Sequence, residues 1–393
     1  MDPETARRTL ERTRFRESAM RAIAALDSWR TLTVEQLEAI TDIAQATEGK
    51  PSLIAALWTV GLIDLCLPAA SFSKVGTERD SILVRPGRDK KAAKQFQDSL
   101  SWVEWVSVTS GLGLDSDRQY ARHNVLAAEF GLRVAETGRV ATVLGEKLST
   151  MAMLAYSGVG APVPSSGASN GSDLTLVRDD GLRIAVEITA SKVGRWFDDK
   201  VEKLVTILAR RSLSETGLSI LFATAPQQDA SRSEASVAEQ RVKAAVQRAV
   251  FRNPGTFRDP TARRVAVANW RTLFPAPGTV NANISVLPAE QPTGRGYLGS
   301  DRGRDVWEPI HLLDAAMNPF EAKSPSALTA VIDNAAGLRG VPHMLRESQN
   351  RPSLSDRAME RLDMARLLHV DGTSLTAARG ASGPRQIPSR LRY

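Results

Sequence analysis

The chain has 393 residues, 42% apolar and 24% charged, ordinary values for a globular protein that exclude a wholly disordered one. That length exceeds what a single hydrophobic core usually serves, so two domains and some looser sequence are expected. A net charge of +7 suits polyanionic partners and equally suits plain solubility, so charge by itself selects no function. Cys66 is the single cysteine, which excludes an intrachain disulfide and a cysteine-rich zinc site and fits a reducing, cytoplasmic setting. No stretch approaches the roughly 18 uninterrupted apolar residues of a membrane span, so no membrane partner is expected.

Residues 5–27 predict one helix, rich in arginine at first (Arg7, Arg8, Arg12) and apolar later (Met20, Ile23, Leu26). Thr33-Val34-Glu35-Gln36 matches a capping box, and Leu37, Ile40 and Ile43 continue one apolar face from it. Gly49 and Pro51 then punctuate the chain, and Leu53, Ile54, Leu57 and Trp58 mark a third helix that ends at Gly61. Residues 62–67 and 81–85 predict a hairpin around a polar loop.

Three helices followed by a hairpin is the winged helix-turn-helix order, assigned to residues 16–87. In that arrangement the third helix enters the major groove of double-stranded DNA, with Lys50, Ser52, Lys74 and Arg79 as contacts. The same helix lacks the Arg, Asn and Gln that read base edges, which leaves open a winged helix that is structural or grips a protein. Residues 88–121, with Trp102 and Trp105, are expected to form a connector.

From Arg122 helices and strands alternate. Residues 122–137 predict a helix, Val140 to Leu144 a strand, Leu174 to Val177 and Leu182 to Thr189 a hairpin about Asp179-Asp180-Gly181. Phe197, Val201, Leu204, Val205 and Leu208 then mark a helix, and Leu218 to Ala223 a strand, so the order is αβββαβ. Asp173 stands at the start of the second strand and Glu187 near the end of the third, a placement that can bring two carboxylates to one Mg²⁺. Alternation puts Glu187 with Arg183, Ala185 and Thr189 on one strand face. The plain alternative is that Asp173 caps a turn and Glu187 pairs with Arg183 on an exposed sheet face.

This α/β (multi-domain) pattern resembles the PD-(D/E)xK nuclease superfamily, whose αβββαβ core carries an Asp and then an acidic-x-Lys on the next strand. Ser172-Asp173 and Glu187-Ile188-Thr189 stand at those places. The resemblance implies Asp173 and Glu187 as metal ligands, with Glu129 or Glu146 as a third acidic group. Thr189 replaces the expected lysine, and Lys192 or Lys200 could bring the ammonium back to the site. The winged helix, the segment Arg122 to Glu129 and the Asp173 to Glu187 hairpin together resemble the actinobacterial replication-relaxation family of plasmids and mobile elements. That resemblance implies a DNA-binding protein of mobile-element replication or processing, and the nuclease-superfamily resemblance adds Mg²⁺-dependent endonuclease activity. The rivals are a non-catalytic DNA-binding regulator, whose nuclease-like domain serves for homodimer formation or DNA clamping, and an assembly protein that binds a protein partner.

The nuclease-like domain is expected over residues 122–295, with a helix at 236–251 and strands near 264–268 and 284–287, and a C-terminal extension over 296–393. From about residue 373 the tail has arginines without acids and is expected to be disordered. His123, His311, His343 and His369 are too scattered for a zinc site and are expected in surface or capping roles.

Overall fold

The computed structural model describes residues 1–41, 51–66, 82–109, 122–138, 140–151, 171–178, 180–189, 194–225, 232–275, 280–293 and 307–320, with a few single positions between them. The protein is mixed α/β, organised by a three-stranded and a seven-stranded sheet. Among the described residues no helix is long and apolar enough to cross a membrane.

The N-terminal unit contains α1 (Pro3–Glu11), α2 (Thr13–Trp29), β1 (Leu32–Thr33), α3 (Val34–Thr41), α4 (Leu53–Thr59), β2 (Ile63–Cys66) and β3 (Leu83–Pro86). Its sheet is antiparallel in the order β1-β3-β2. The capping box forms as expected, with the Gln36 N–H donating to Thr33 Oγ1 and the Thr33 N–H donating to Gln36 Oε1, both at 3.1 Å. The single helix expected over 5–27 is instead two, because the backbone turns extended at Arg12. That turn lets α1 fold back onto α4 and bury Ala6 and Thr9. The expected connector contains two helices, α5 (Lys90–Asp98) and α6 (Trp102–Thr109). Asp89 caps the first of them by accepting the N–H groups of Lys91 and Ala92, and the second lies on α2, where Arg16 pairs with Glu104 at 3.1 Å.

The large unit runs α7 (Arg122–Thr137), β4 (Val140–Gly145), β5 (Leu174–Arg178), β6 (Arg183–Thr189), α8 (Arg195–Ala209), α9 (Leu213–Thr216), β7 (Leu218–Thr224), α10 (Arg232–Arg252), β8 (Val265–Asn269), α11 (Trp270–Leu273), β9 (Pro288–Pro292) and β10 (Trp307–His311). The sheet order is β10-β9-β8-β7-β6-β5-β4. β4 to β6 form an antiparallel meander, β6, β7 and β8 are parallel through helical crossovers, and β9 and β10 return antiparallel. The strand expected at 284–287 is mostly a 3-10 turn, Ala282–Ser285, and the ladder begins at Pro288. The sheet also continues past residue 295, since β10 pairs with β9 and Ile310, Leu312 and Leu313 are buried. The tail expected from 373 lies outside the described residues.

Helices cover both faces of the sheet. Leu182, Ile184, Val186 and Ile188 pack with Leu126, Phe130 and Val134 of α7, while Ala185 packs with Phe197, Val201 and Leu204 of α8 and Val242 and Val246 of α10. The face of β6 that carries Glu187 is therefore roofed by α8, and the exposed sheet face of the plain alternative does not form. Arg183 is fully buried on that strand and donates to the Thr216 carbonyl.

The two units share one apolar core, in which Ala22 to Leu26 and Trp29 of α2 join α7 and the large sheet. Gly145 permits this approach, because a Cβ there would sit 2.7 Å from the Ser28 carbonyl oxygen. Beside it the buried Lys147 ammonium is paired with the buried Asp27 carboxylate. Removing one member of such a pair takes away the counter-charge of the other in a dry environment, so Lys147→Ala should cost about 3–5 kcal/mol in urea unfolding. The Asp27→Leu, Lys147→Met double variant should recover most of that loss, and a double variant no better than the single one would show that the unbalanced charge is not its cause.

Candidate functional site

The β5–β6 register brings the two predicted carboxylates together. Leu174 pairs with Val186, so Asp173, one step before β5, meets Glu187 one step further along β6. The Asp173 N–H donates to the Val186 carbonyl at 2.9 Å, and Asp173 Oδ2 accepts the Ile188 N–H at 2.6 Å, which fixes its side chain against the neighbouring strand. Both residues are nearly sealed from solvent, Asp173 at 6% and Glu187 at 5% exposure.

Lys200, on the second turn of α8, reaches down to this pair. Its Nζ donates to Glu187 Oε1 and forms an ion pair with it. The position follows from the helix period, since Lys200 flanks the buried stripe of Phe197, Val201 and Leu204 that seats α8 on the sheet. Burial, and then the adjacent Asp173 charge, push the Glu187 carboxyl up to about 8 against the pull of Lys200. Asp173 is likewise raised, mainly by burial, with the charges of His123 and Lys200 working the other way. Burial opposes the Lys200 ammonium, but Glu187 and Asp173 outweigh it and hold the group above its ordinary value.

Glu146, in the 3-10 turn Glu146–Leu148 after β4, forms the next part of the rim. Its Oε2 accepts from Asn124 Nδ2 at 2.8 Å and lies 3.8 Å from Arg30 Nε, and its charge raises both Asp173 and Glu187. His123 Nε2 stands 3.9 Å from Asp173 Oδ1, with a side chain 45% exposed. His123 is at the surface, one of the expected roles, and it also borders the carboxylates. Arg30 carried no signal for this place in the sequence, because only the fold-back of α2 onto the end of β4 brings it here, with a positive φ of 70°.

Glu129 is engaged by a different partner, Arg133. It is fully buried on α7 and accepts from Arg133 Nε at 2.8 Å, while Arg133 also pairs with Glu136 at 2.9 Å. The spacing of four residues to Arg133 was the signal for that role. Burial raises Glu129 from 4.5 to about 7. Folding therefore takes up a proton between those values, and the stability this contributes is complete below about 4.5 and is lost as pH rises through about 7. Glu129→Gln should accordingly flatten the fall of Tm across that window, and an unchanged slope would show that the group titrates elsewhere.

The expected DNA contacts fare unevenly. Ser52 is the N-cap of α4, its Oγ accepting the Ala55 N–H at 3.2 Å, and it is buried. Lys50, Lys74, Arg79 and Lys192 lie outside the described residues. Thr189 occupies the expected lysine position, and its buried Oγ1 has no hydrogen-bond partner among the described residues.

The donor chemistry suits a hard divalent cation. Glu187 Oε2 is buried without a hydrogen-bond partner among the described residues, and the repulsion by which the Asp173 charge raises Glu187 would be relieved by positive charge between them. Among the described residues no three His, Cys, Asp or Glu side chains form a ready metal group. Mg²⁺ does not need one, since it commonly keeps several waters and takes only one or two carboxylates besides substrate phosphate. No family model, no curated protein and no solved structure matches this chain. Function has then to be read from the groups of the site themselves.

Proposed function

We propose that the chain is a DNA-processing protein whose α/β unit is a Mg²⁺-dependent phosphodiesterase of the PD-(D/E)xK kind, with the motif lysine moved from strand to helix. The observation that carries this is the Lys200 ammonium on the buried Glu187, beside the buried Asp173, at the paired ends of β5 and β6. Asp173 and Glu187 would hold the cation, which when bound neutralises phosphate charge and makes water a stronger nucleophile. The Ile188 N–H keeps Asp173 in place, and Lys200 holds Glu187 and offers its remaining N–H donors toward a phosphate oxygen or water. Sealed walls keep the two carboxylates poorly solvated, so their affinity for a counter-charge is high.

The N-terminal unit enters the proposal as a winged helix that positions duplex DNA, in a replication or processing step of a plasmid or mobile element. One observation favours the second reading, a non-catalytic DNA-binding regulator: Thr189 supplies no charge where the motif has lysine.

The test is incubation with supercoiled and linear DNA in Mg²⁺, Mn²⁺ or EDTA, beside Asp173→Ala and Glu187→Ala. The expected result is nicking or cutting that needs metal and disappears in both variants. Binding without cutting in every condition would favour the regulator.

A further inference from the structure

Trp196 is the most exposed tryptophan among the described residues, at 71%, and it stands on the first turn of α8. It is off the stripe that seats this helix, which is formed by Phe197, Val201, Leu204, Val205 and Leu208. Instead, Trp196, Lys200 and Lys203 fall at spacings of four and three residues along a second stripe. Lys200 Nζ lies 5.6 Å from the Trp196 ring centroid and simultaneously reaches Glu187. The indole is therefore one side chain removed from the carboxylates, and Arg195 and Lys203 beside it are exposed. A large exposed ring beside the Lys200 ammonium, with exposed Arg195 and Lys203 on the same helix and next to a site suited to phosphate, has the composition of a base-stacking platform.

We infer that Trp196 stacks on an unpaired nucleobase next to the phosphate held at the site, so that the substrate class is DNA with a single-stranded segment, such as an overhang, a flap or a frayed end. The inference rests on the phosphodiesterase reading for the position of the phosphate. It goes beyond that reading because a paired, internal base has both faces covered by its neighbours and offers the ring nothing to stack on. The cations of the stripe complement the backbone on either side of that base, and Lys200 links the stacked nucleotide to the carboxylate pair.

The test measures the affinity of the full chain for fluorescein-labelled oligonucleotides in Ca²⁺, comparing a single strand and an overhang with a blunt duplex, for wild type, Trp196→Ala and Trp196→Phe. The expected result is a preference of the wild type for unpaired ends. Trp196→Ala should lower the single-strand to duplex affinity ratio roughly 5- to 100-fold, and Trp196→Phe should retain most of it. A wild-type preference for blunt duplex, or an unchanged ratio in Trp196→Ala, overturns the inference, as does failure to bind any oligonucleotide. Cleavage in Mg²⁺ by the same samples and by Asp173→Ala separates the two ideas. Asp173-dependent cutting with a silent Trp196→Ala would leave the phosphodiesterase and remove the platform. Trp196-dependent single-strand binding with no cutting in any metal would leave the platform and remove the phosphodiesterase.

Discussion

Lys200→Ala should lower metal-dependent DNA cleavage by roughly 10²- to 10³-fold, the usual cost of removing one preorganised charged donor, and Thr189→Lys on that background should restore much of the rate. The two positions approach one carboxylate from different elements. Thr189 follows Glu187 by two residues on β6 and so shares its face, whereas Lys200 descends onto the same face from α8. The Thr189 hydroxyl has no hydrogen-bond partner among the described residues, so its replacement breaks no bond there, and the long lysine stem can run along the strand surface. The order of construction matters, since a second lysine added while Lys200 is present would crowd one buried carboxylate. Lys200→Met, which keeps the stem, separates loss of charge from loss of packing and should be as inactive as the alanine variant. Full activity in a folded Lys200→Ala protein would remove the lysine from the mechanism, and a double variant no better than Lys200→Ala would show that the ammonium cannot act from the strand.

Asp173→Asn should have a still larger effect, a fall of about 10³-fold or more in cleavage, with no loss of folded stability in EDTA. Asparagine can still accept the Ile188 N–H through its side-chain oxygen, so the local geometry survives. What disappears is a negative charge that raises Glu187, and the removal of that repulsion should leave the metal-free protein at least as stable as the wild type. Activity and stability thus move in opposite directions, the signature of a site that holds like charges together for function. Thermal unfolding with Mg²⁺ adds a second readout: the wild type should gain Tm with the ion and Asp173→Asn should not. A variant that unfolds early in EDTA and regains nothing would instead mark Asp173 as a structural cap.

The αβββαβ order was legible because each of its signals is local: turn chemistry at Asp180-Gly181, alternation along β6, and the helical stripe of α8. The meeting of Asp173 and Glu187 followed from those same signals, since antiparallel register across a short turn leaves little choice of partner. Lys200 was legible only as one of two candidate lysines, because its reach to the strand depends on how α8 seats. Glu129 drew attention by its position on the first helix of the unit, and the structure pairs it with Arg133 one turn on. The break at Arg12 has no glycine or proline to announce it and is set by the packing of α1 on α4, a contact between segments far apart in the chain. The joining of the two units through Asp27 and Lys147 is of the same kind, as is the arrival of Arg30 beside Glu146. Such contacts are properties of the assembled core and leave no periodic trace in the sequence.

The most direct measurement is Mn²⁺ binding to the purified full chain, read by electron paramagnetic resonance of the free ion, for wild type, Asp173→Asn and Glu187→Gln. A metal site at these carboxylates should give saturable binding in the wild type that competes with Mg²⁺ and is lost or greatly weakened in both variants. Equal binding in all three proteins, or none in the wild type, would rule out a metal site at Asp173 and Glu187 and with it the proposed chemistry.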